Sequence, residues 1–379
     1  MSLRGDEAIR RVAGPKIPKT LVTVICFFIL CGILVAGLWP FHAPGNDVRW
    51  LSQGDGLAFG KYGSIVSTGP FDTKARRADG SCSLEIWLEP KRVHTSGTIL
   101  AFYQPENKVS GFTLRQSLGD LVLRRASQNE SGQPSERKIY VDDIFRNQKS
   151  MLVTISSNES GTMVFADGVF VRKFEHFTFS SQDLNGRLIV GNSPVTTDDW
   201  RGQLKGLAFY DRALTADQIP QHFANWINGR HSDLAKGDGA IALYLFNEGN
   251  GDVVHNQVDS GTDLLIPRRF FVLHEQFLER PWDEFRPDRN YWKDVGINVA
   301  GFIPLGFFFY AYFSLVQSAD HVAAVTIAFG FAVSLTIEVL QAFLPTRDSG
   351  MTDLITNTLG TALGALLCAW MARHRAVHG

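Results

Sequence analysis

The run Leu21 to Trp39, LVTVICFFILCGILVAGLW, contains no charged residue. About 20 apolar residues suffice for a helix to cross a hydrocarbon core about 30 Å thick. Three more runs of that kind follow, at roughly Val295 to Val316, Val322 to Leu344 and Leu354 to Ala372. The chain therefore reads as a membrane protein with four transmembrane helices, the first taken as residues 21–40. A cleaved leader is the rival reading of the first run, since basic residues precede it. Its apolar core exceeds the usual roughly 7–15 residues, and Trp39-Pro40-Phe41-His42 offers no small-x-small cleavage site, which favours a retained helix.

Basic residues set the expected orientation. Arg4, Arg10, Arg11, Lys16 and Lys19 precede the first run and Arg373 and Arg375 follow the last, while the short loop at Arg347 holds only one. The positive-inside rule places both termini in the cytoplasm, with 1–20 as an N-terminal segment and 373–379 as a tail. The long segment between helices 1 and 2 then lies outside. A net charge of −1 over 379 residues gives no reason to expect nucleic acid as a partner.

That outer segment has a different texture. Short runs of alternating polarity, such as Ser83-Leu84-Glu85-Ile86-Trp87-Leu88-Glu89, Met151 to Ile155 and Arg187 to Val190, are separated by turn residues, which predicts a β-sandwich. Ala166-Asp167-Gly168-Val169 predicts a tight hairpin, because Asp-Gly supplies the positive φ angles that a two-residue turn needs. Leu214 to Ile219 reads as a short helix with Thr215 as its cap. Glu85 and Glu89 share a strand face and are expected to be an exposed polar face over buried Leu84, Ile86 and Leu88. Of four cysteines only Cys82 lies in this segment, so no intrachain disulfide is available there and Cys82 is expected to pack inward. Asn129-Glu130-Ser131 and Asn158-Glu159-Ser160 match the glycosylation pattern, one that arises often by chance.

The stretches CSLEIWLEP, LVTISSNESGTMVFADGVFV and RLIVGNSPVTTDDWRGQLKGLAFYDRALTADQI resemble successive strands of the LamG-like, concanavalin A-type jelly roll, over residues 48–267. ALYLFNEGNGDVVHNQ, at 242–257, resembles the strand and turn that usually begin such a domain, and here it comes near the end. The resemblance implies binding of glycans or proteins, sometimes with calcium at a rim. Asp198, Asp199 and Asp211 could furnish oxygen ligands or simply form turns, and no metal is expected. Glucanases of this fold present an acidic triplet on one strand. Here Trp87 stands between Glu85 and Glu89, and residues four apart on a strand exceed the roughly 5–5.5 Å that a retaining pair needs, so no catalytic residue is expected. Trp50, Trp87, Trp200 and Trp226 suit sugar stacking or a core equally.

The segment 268–294 mixes aromatics with charges. Trp282, Phe285, Tyr291 and Trp292 suit the membrane interface, so an interfacial linker is expected.

Within the last three apolar runs, polar residues gather at one depth. With helix 2 running inward, helix 3 outward and helix 4 inward, Asn298, Glu338, Gln341, Asp353 and Asn357 all fall in the outer leaflet. Glu338 would lie about 8 Å below a helix end near Phe343. Glu338 and Gln341 share a helical face, as do Asp353 and Asn357, and Asp294 and Asn298. Gly360 and Gly364 permit close backbone approach. An acid at mid-membrane costs roughly 2.5–3.5 kcal/mol, so it faces a partner or a wet cavity. Arg347 is the nearest cation to Glu338 and Asp353, which leaves a structural ion pair and a ligand site both open.

NVAGFIPLGFFF and SLTIEVLQAFLPTRDSGMTDLITNTLGTALGALL resemble the VanZ-like family, named for a teicoplanin-resistance protein. The motif positions Asn298, Phe302, Pro304, Gly306, Glu338, Gln341, Arg347, Asp353, Asn357 and Gly360 are all matched. The family normally has only a connection where this chain carries its sandwich, so antibiotic resistance is not carried over. The expected architecture is mixed: a four-helix transmembrane bundle, with VanZ-like helices 2–4 at 295–372, and an extracytoplasmic antiparallel β-sandwich inserted between helices 1 and 2. The resemblance implies a protein of the bacterial cytoplasmic membrane with a lectin-like domain for a cell-envelope glycan or glycolipid. An outer-leaflet pocket of Asn298, Glu338, Gln341, Arg347, Asp353 and Asn357 would take a headgroup or glycopeptide-like ligand, Arg347 pairing an anionic group. The alternatives are an enzyme modifying lipid-linked glycan, with Glu338 or Asp353 as base, and a scaffold for another envelope protein. Membrane lipid is an expected partner, and no cofactor is expected.

Overall fold

Continuous apolar runs and alternating ones cannot share a core, and the chain divides accordingly. One compact unit is Ala43–His274; the other joins Met1–His42 to Glu275–Gly379. The computed structural model describes residues 18–378 apart from 73–79, 106–108, 129–133, 259–260, 286, 317–320 and 348. Arg4, Arg10, Arg11, Lys16, the Asn129-Glu130-Ser131 sequence and Asp348 lie outside the described residues, as does the side chain of Arg375.

Helix α1 spans Lys19–Leu38. Strands β1 (Val48–Trp50), β2 (Leu57–Phe59) and β3 (Ile65–Ser67) open the second unit. Longer strands follow: β4 (Cys82–Pro90), β5 (Ser96–Gln104), β6 (Val109–Ser117), β7 (Asp120–Gln128) and β8 (Pro134–Val141). Next come β9 (Met151–Asn158), β10 (Gly161–Ala166), β11 (Val169–Phe174), β12 (Arg187–Val190) and β13 (Gly202–Tyr210). Helices α2 (Ile219–Ile227) and α3 (His231–Lys236) precede β14 (Ala240–Tyr244), β15 (Val253–Val254) and β16 (Leu264–Leu265). The remaining helices are α4 (Pro281–Glu284), α5 (Arg289–Val316), α6 (Val322–Gln341) and α7 (Met351–His378).

The strands form a sandwich of two antiparallel sheets. One runs β1-β2-β13-β4-β9-β10-β11, with β14 also on β13; the other runs β15-β16-β3-β12-β5-β6-β7-β8. Leu84, Ile86 and Leu88 of β4 and Leu207 and Phe209 of β13 share a buried core with Phe102, Phe112, Leu114, Leu121 and Leu123 of the other sheet. Each such side chain contributes about 1.5–3 kcal/mol on burial. The 242–257 segment serves both sheets. Tyr244 of β14 sits opposite Leu207 of β13, and β15 joins the other sheet through β16. Asp167 (φ 50°) and Gly168 (φ 77°) make the expected hairpin between β10 and β11. Cys82 is buried, and burial pushes its thiol well above its ordinary range.

The helix expected at Leu214–Ile219 starts later. Residues 216–218 are a turn and α2 begins at Ile219, although the Thr215 hydroxyl accepts the Gln218 amide at 3.4 Å, as a cap would. The shift has a large consequence, because α2 lies on the sheet face that carries Glu85. Leu152, Phe165, Tyr210, Ile219 and Trp226 form a second buried cluster there. Glu85 is thus fully buried rather than exposed. Tyr210 Oη and Trp226 Nε1 each donate to its carboxylate at 2.8 Å, Thr154 Oγ1 at 3.3 Å, and His222 Nδ1 lies 3.3 Å away. His222 Nε2 is 3.0 Å from Asp238. Burial opposes a charged imidazole, yet the hydrogen bonds and charges of Glu85 and Asp238 outweigh it and hold His222 above its ordinary value. Glu89, beyond the reach of α2, pairs with Lys205 at 3.3 Å.

Among the described residues four helices are long and apolar enough to cross a membrane: α1, α5, α6 and α7, the last over Met351–His374. Their shared core contains Val22 and Cys26 of α1, Phe302, Leu305 and Phe309 of α5, and Val333 and Ile337 of α6. Helices α5 and α7 approach closely because glycine stands at the crossing. A Cβ at Gly360 or Gly364 would collide with the Val299 or Ile303 carbonyl, and one at Gly306 with the carbonyl of Thr361.

Candidate functional site

The polar residues of the apolar helices come together. Gly37 of α1, Asp294 and Asn298 of α5, Glu338 and Gln341 of α6, Thr346 and Arg347 of the connection, and Asp353 and Asn357 of α7 line one cleft of roughly 550 Å³. Ile33, Ala36, Ile297, Phe302 and Ile337 supply its apolar part. All six residues expected to form a pocket are in this lining: Asn298, Glu338, Gln341, Arg347, Asp353 and Asn357.

Helical spacing explains the convergence. Asp294 and Asn298 are one turn apart on α5, Asp353 and Asn357 one turn apart on α7. Helix α6 ends at Gln341, earlier than Phe343, so Glu338 lies about 4.5 Å from the helix end rather than about 8 Å. Glu338, Gln341 and Asn357 are buried, Asn298 and Asp353 half-buried, and Asp294 and Arg347 exposed.

Hydrogen bonds fix most of these groups. Asn298 Nδ2 donates to Asp353 Oδ1 at 2.7 Å, and the Gly350 amide donates to Glu338 Oε2 at 2.9 Å. Gln341 Nε2 donates to the Gly37 carbonyl at 2.8 Å, and Asn357 Nδ2 to Ser334 Oγ at 3.0 Å. Three side-chain oxygens of the lining, Gln341 Oε1, Asn357 Oδ1 and Thr346 Oγ1, are buried with no hydrogen-bond partner among the described residues.

Arg347 spends part of its guanidinium on the main chain. Its Nε and Nη2 both donate to the Trp39 carbonyl, and it forms no ion pair with Glu338 or Asp353. A main-chain oxygen just past α1 is a partner that side-chain reasoning does not consider. The guanidinium thereby ties the α6–α7 connection to the end of α1.

Sequence reasoning also missed what the linker does. Glu279 exchanges bonds with this connection, its amide donating to the Ser349 carbonyl at 3.1 Å and its carbonyl accepting the Met351 amide at 2.9 Å. Glu284 Oε2 accepts the Thr352 amide at 3.1 Å, capping the start of α7, where a negative charge is favoured. An acid followed by the interfacial aromatics was the available signal. Trp282, Phe285 and Trp292 remain exposed.

In the sandwich, two of the three candidate ligand residues have other partners. Asp198 accepts from Thr98 at 2.5 Å and Arg115 at 2.8 Å, and Asp199 pairs with Arg201 at 2.6 Å. Asp211 Oδ1 is buried without a partner. All four tryptophans spend their indole N–H inside the domain: Trp50 on the Gly251 carbonyl, Trp87 on Ser150, Trp200 on Gln116, each at 2.9 Å, and Trp226 on Glu85 at 2.8 Å.

Residues 241–372 match the family model described as VanZ/LLP1, and residues 62–220 match that of the concanavalin A-like lectin/glucanases superfamily. The chain joins a VanZ-like region to a concanavalin A-like sandwich. The VanZ-like match begins in β14, ahead of the membrane helices, and so overlaps the sandwich unit. Among solved structures, the binding domain of Paraclostridial Mosquitocidal Protein 1 is similar at 15% identity and a TM-score of 0.36, covering 49% of this chain and 47% of that one. The receptor binding domain of botulinum neurotoxin D gives 14%, 0.34, 48% and 47%. The binding domain of botulinum neurotoxin DC, in complex with SialylT, gives 18%, 0.33, 48% and 45%. The chain spans about half the length of each. No curated protein matches it.

Proposed function

We propose that this is a bacterial integral membrane protein whose cleft holds a polar headgroup or glycopeptide-like ligand in the outer leaflet. Its lectin-like sandwich, outside the membrane, binds a cell-envelope glycan or glycolipid. The observation that carries the reading is the pair of buried, unpartnered amide oxygens, Gln341 Oε1 and Asn357 Oδ1, in one cleft. Leaving a buried acceptor unsatisfied costs about 1–3 kcal/mol, so a ligand that donates to both would be bound the more tightly for it.

Each remaining residue then has a part. Asn298 orients Asp353, the Gly350 amide orients Glu338, and Arg347 fastens the connection to α1. The superfamily match of 62–220 supports glycan binding by the sandwich, and the basic residues flanking the apolar runs support cytoplasmic termini.

The test is an unbiased mass-spectrometric survey of lipids and glycans that co-purify with the full chain, wild type against Gln341→Leu/Asn357→Leu. A species enriched in the wild type and lost from the variant is the expected result. Equal content in both would remove the cleft as a binding site. A glycan array probed with the detergent-solubilised full chain tests the sandwich separately.

A further inference from the structure

The three side-chain amides of the cleft wall each direct an N–H to a protein acceptor, and of the lining's buried side-chain atoms without a partner two are amide oxygens and one is the Thr346 hydroxyl. Gln341 gives its NH2 to the Gly37 carbonyl, a role only the nitrogen can fill, so the atom left without a partner is an oxygen. Asn357 gives its NH2 to Ser334 and again leaves its oxygen. Asn298 gives its NH2 to Asp353. Arg347, the cationic residue of the lining among the described residues, is turned onto the Trp39 carbonyl. Against that single guanidinium stand the carboxyls of Asp294, Glu338 and Asp353.

A phosphate entering such a cleft would meet three carboxyls and a guanidinium already engaged. A quaternary ammonium would suit the charge yet bring no N–H for the two amide oxygens. A primary ammonium does both, supplying three donors and a positive charge. The apolar lining, Ile33, Ala36 and Ile297, lies on helices long enough to cross a membrane, which suits an amine borne on an amphiphile.

We infer that the cleft recognises the primary-ammonium headgroup of a membrane lipid, hydrogen-bonded by Gln341 Oε1 and Asn357 Oδ1 and charge-paired with Asp353. The inference rests on the reading of the cleft as a ligand site and adds the chemistry of the ligand.

The experiment offers the full chain, in nanodiscs, three lipids with identical acyl chains: phosphatidylethanolamine, phosphatidylcholine and phosphatidylglycerol. Lipid retained on transfer to mild detergent is quantified by mass spectrometry. Phosphatidylethanolamine is expected to exceed phosphatidylcholine by about tenfold, the size of one charge-assisted hydrogen bond. Asp353→Asn keeps an acceptor for Asn298 and removes the charge; it is expected to abolish most of that preference while retention of the other two lipids, measured in the same sample, reports that the protein is folded. Equal retention of the amine and its trimethylated analogue overturns the inference. A preference for phosphatidylglycerol also overturns it and leaves the cleft standing as a headgroup site. Displacement by free ethanolamine as readily as by the lipid overturns the amphiphile as the source. Absence of retained lipid in both wild type and Gln341→Leu removes the inference and the reading beneath it together.

Discussion

Among the described residues two glutamates are buried, and they are buried differently. Glu85 of the sandwich is met by Tyr210, Trp226, Thr154 and His222. Glu338 of the helical unit is met by the Gly350 amide and the Ser349 hydroxyl, and its neighbours Gln341 and Asn357 keep amide oxygens without a partner among the described residues. The contrast separates two uses of buried polarity. A saturated network holds a fold in one arrangement, whereas an unsaturated one leaves work for a ligand.

The contrast breaks most visibly at Glu85. Glu85→Ala removes the group that Tyr210, Trp226 and His222 share, and about 3–5 kcal/mol of sandwich stability is expected to go with it, read from urea unfolding of the full chain by tryptophan fluorescence. A cost below about 1 kcal/mol would mean the network is not what holds α2 to the sheet. Next in size is Gly360→Val, which drives a side chain into the Val299 carbonyl; a loss of about 1–3 kcal/mol is expected in thermal unfolding of the helical unit, with the sandwich transition unmoved. Gln341→Met sharpens the comparison from the other side. It removes an unsatisfied oxygen along with the bond to Gly37, so stability is expected to change by only about 1 kcal/mol while lipid retention falls.

The smallest effect is a pH dependence. Burial lowers the affinity of His222 for a proton, but Glu85 and Asp238 raise it further, so the folded value lies above the ordinary 6.5. The stabilisation is therefore complete below that ordinary value and is lost as pH rises through the folded one. The sandwich transition is expected to move to lower temperature across that window, and His222→Gln to flatten the movement; a transition that rises with pH there would reverse the sign and break the assignment.

Much of the architecture was legible in the sequence because its signals are local. Four apolar runs, an Asp167-Gly168 turn and alternating strands each announce themselves within about twenty residues. That Asn298, Glu338, Gln341, Asp353 and Asn357 face one cleft follows from helical spacing, which is a property of short segments. What escaped depends on distant partners. The burial of Glu85 has no local signal, because nothing near it in sequence says that α2 will lie across its strand. The bond from Arg347 to the Trp39 carbonyl has no sequence signal, because a main-chain oxygen is invisible to any pattern of side chains.

That last bond gives α1 an unusual kind of specification. Gln341 and Arg347 grip it by the carbonyls of Gly37 and Trp39, and the Trp39 side chain is itself exposed. At position 39, residue type is therefore nearly irrelevant to the grip, and register is everything. Swapping Trp39 for another residue leaves the oxygen where it was, but one residue inserted between Ala36 and Gly37 turns the helix end by about 100° and carries both carbonyls away. The first helix is held as a ruler is held, by its length.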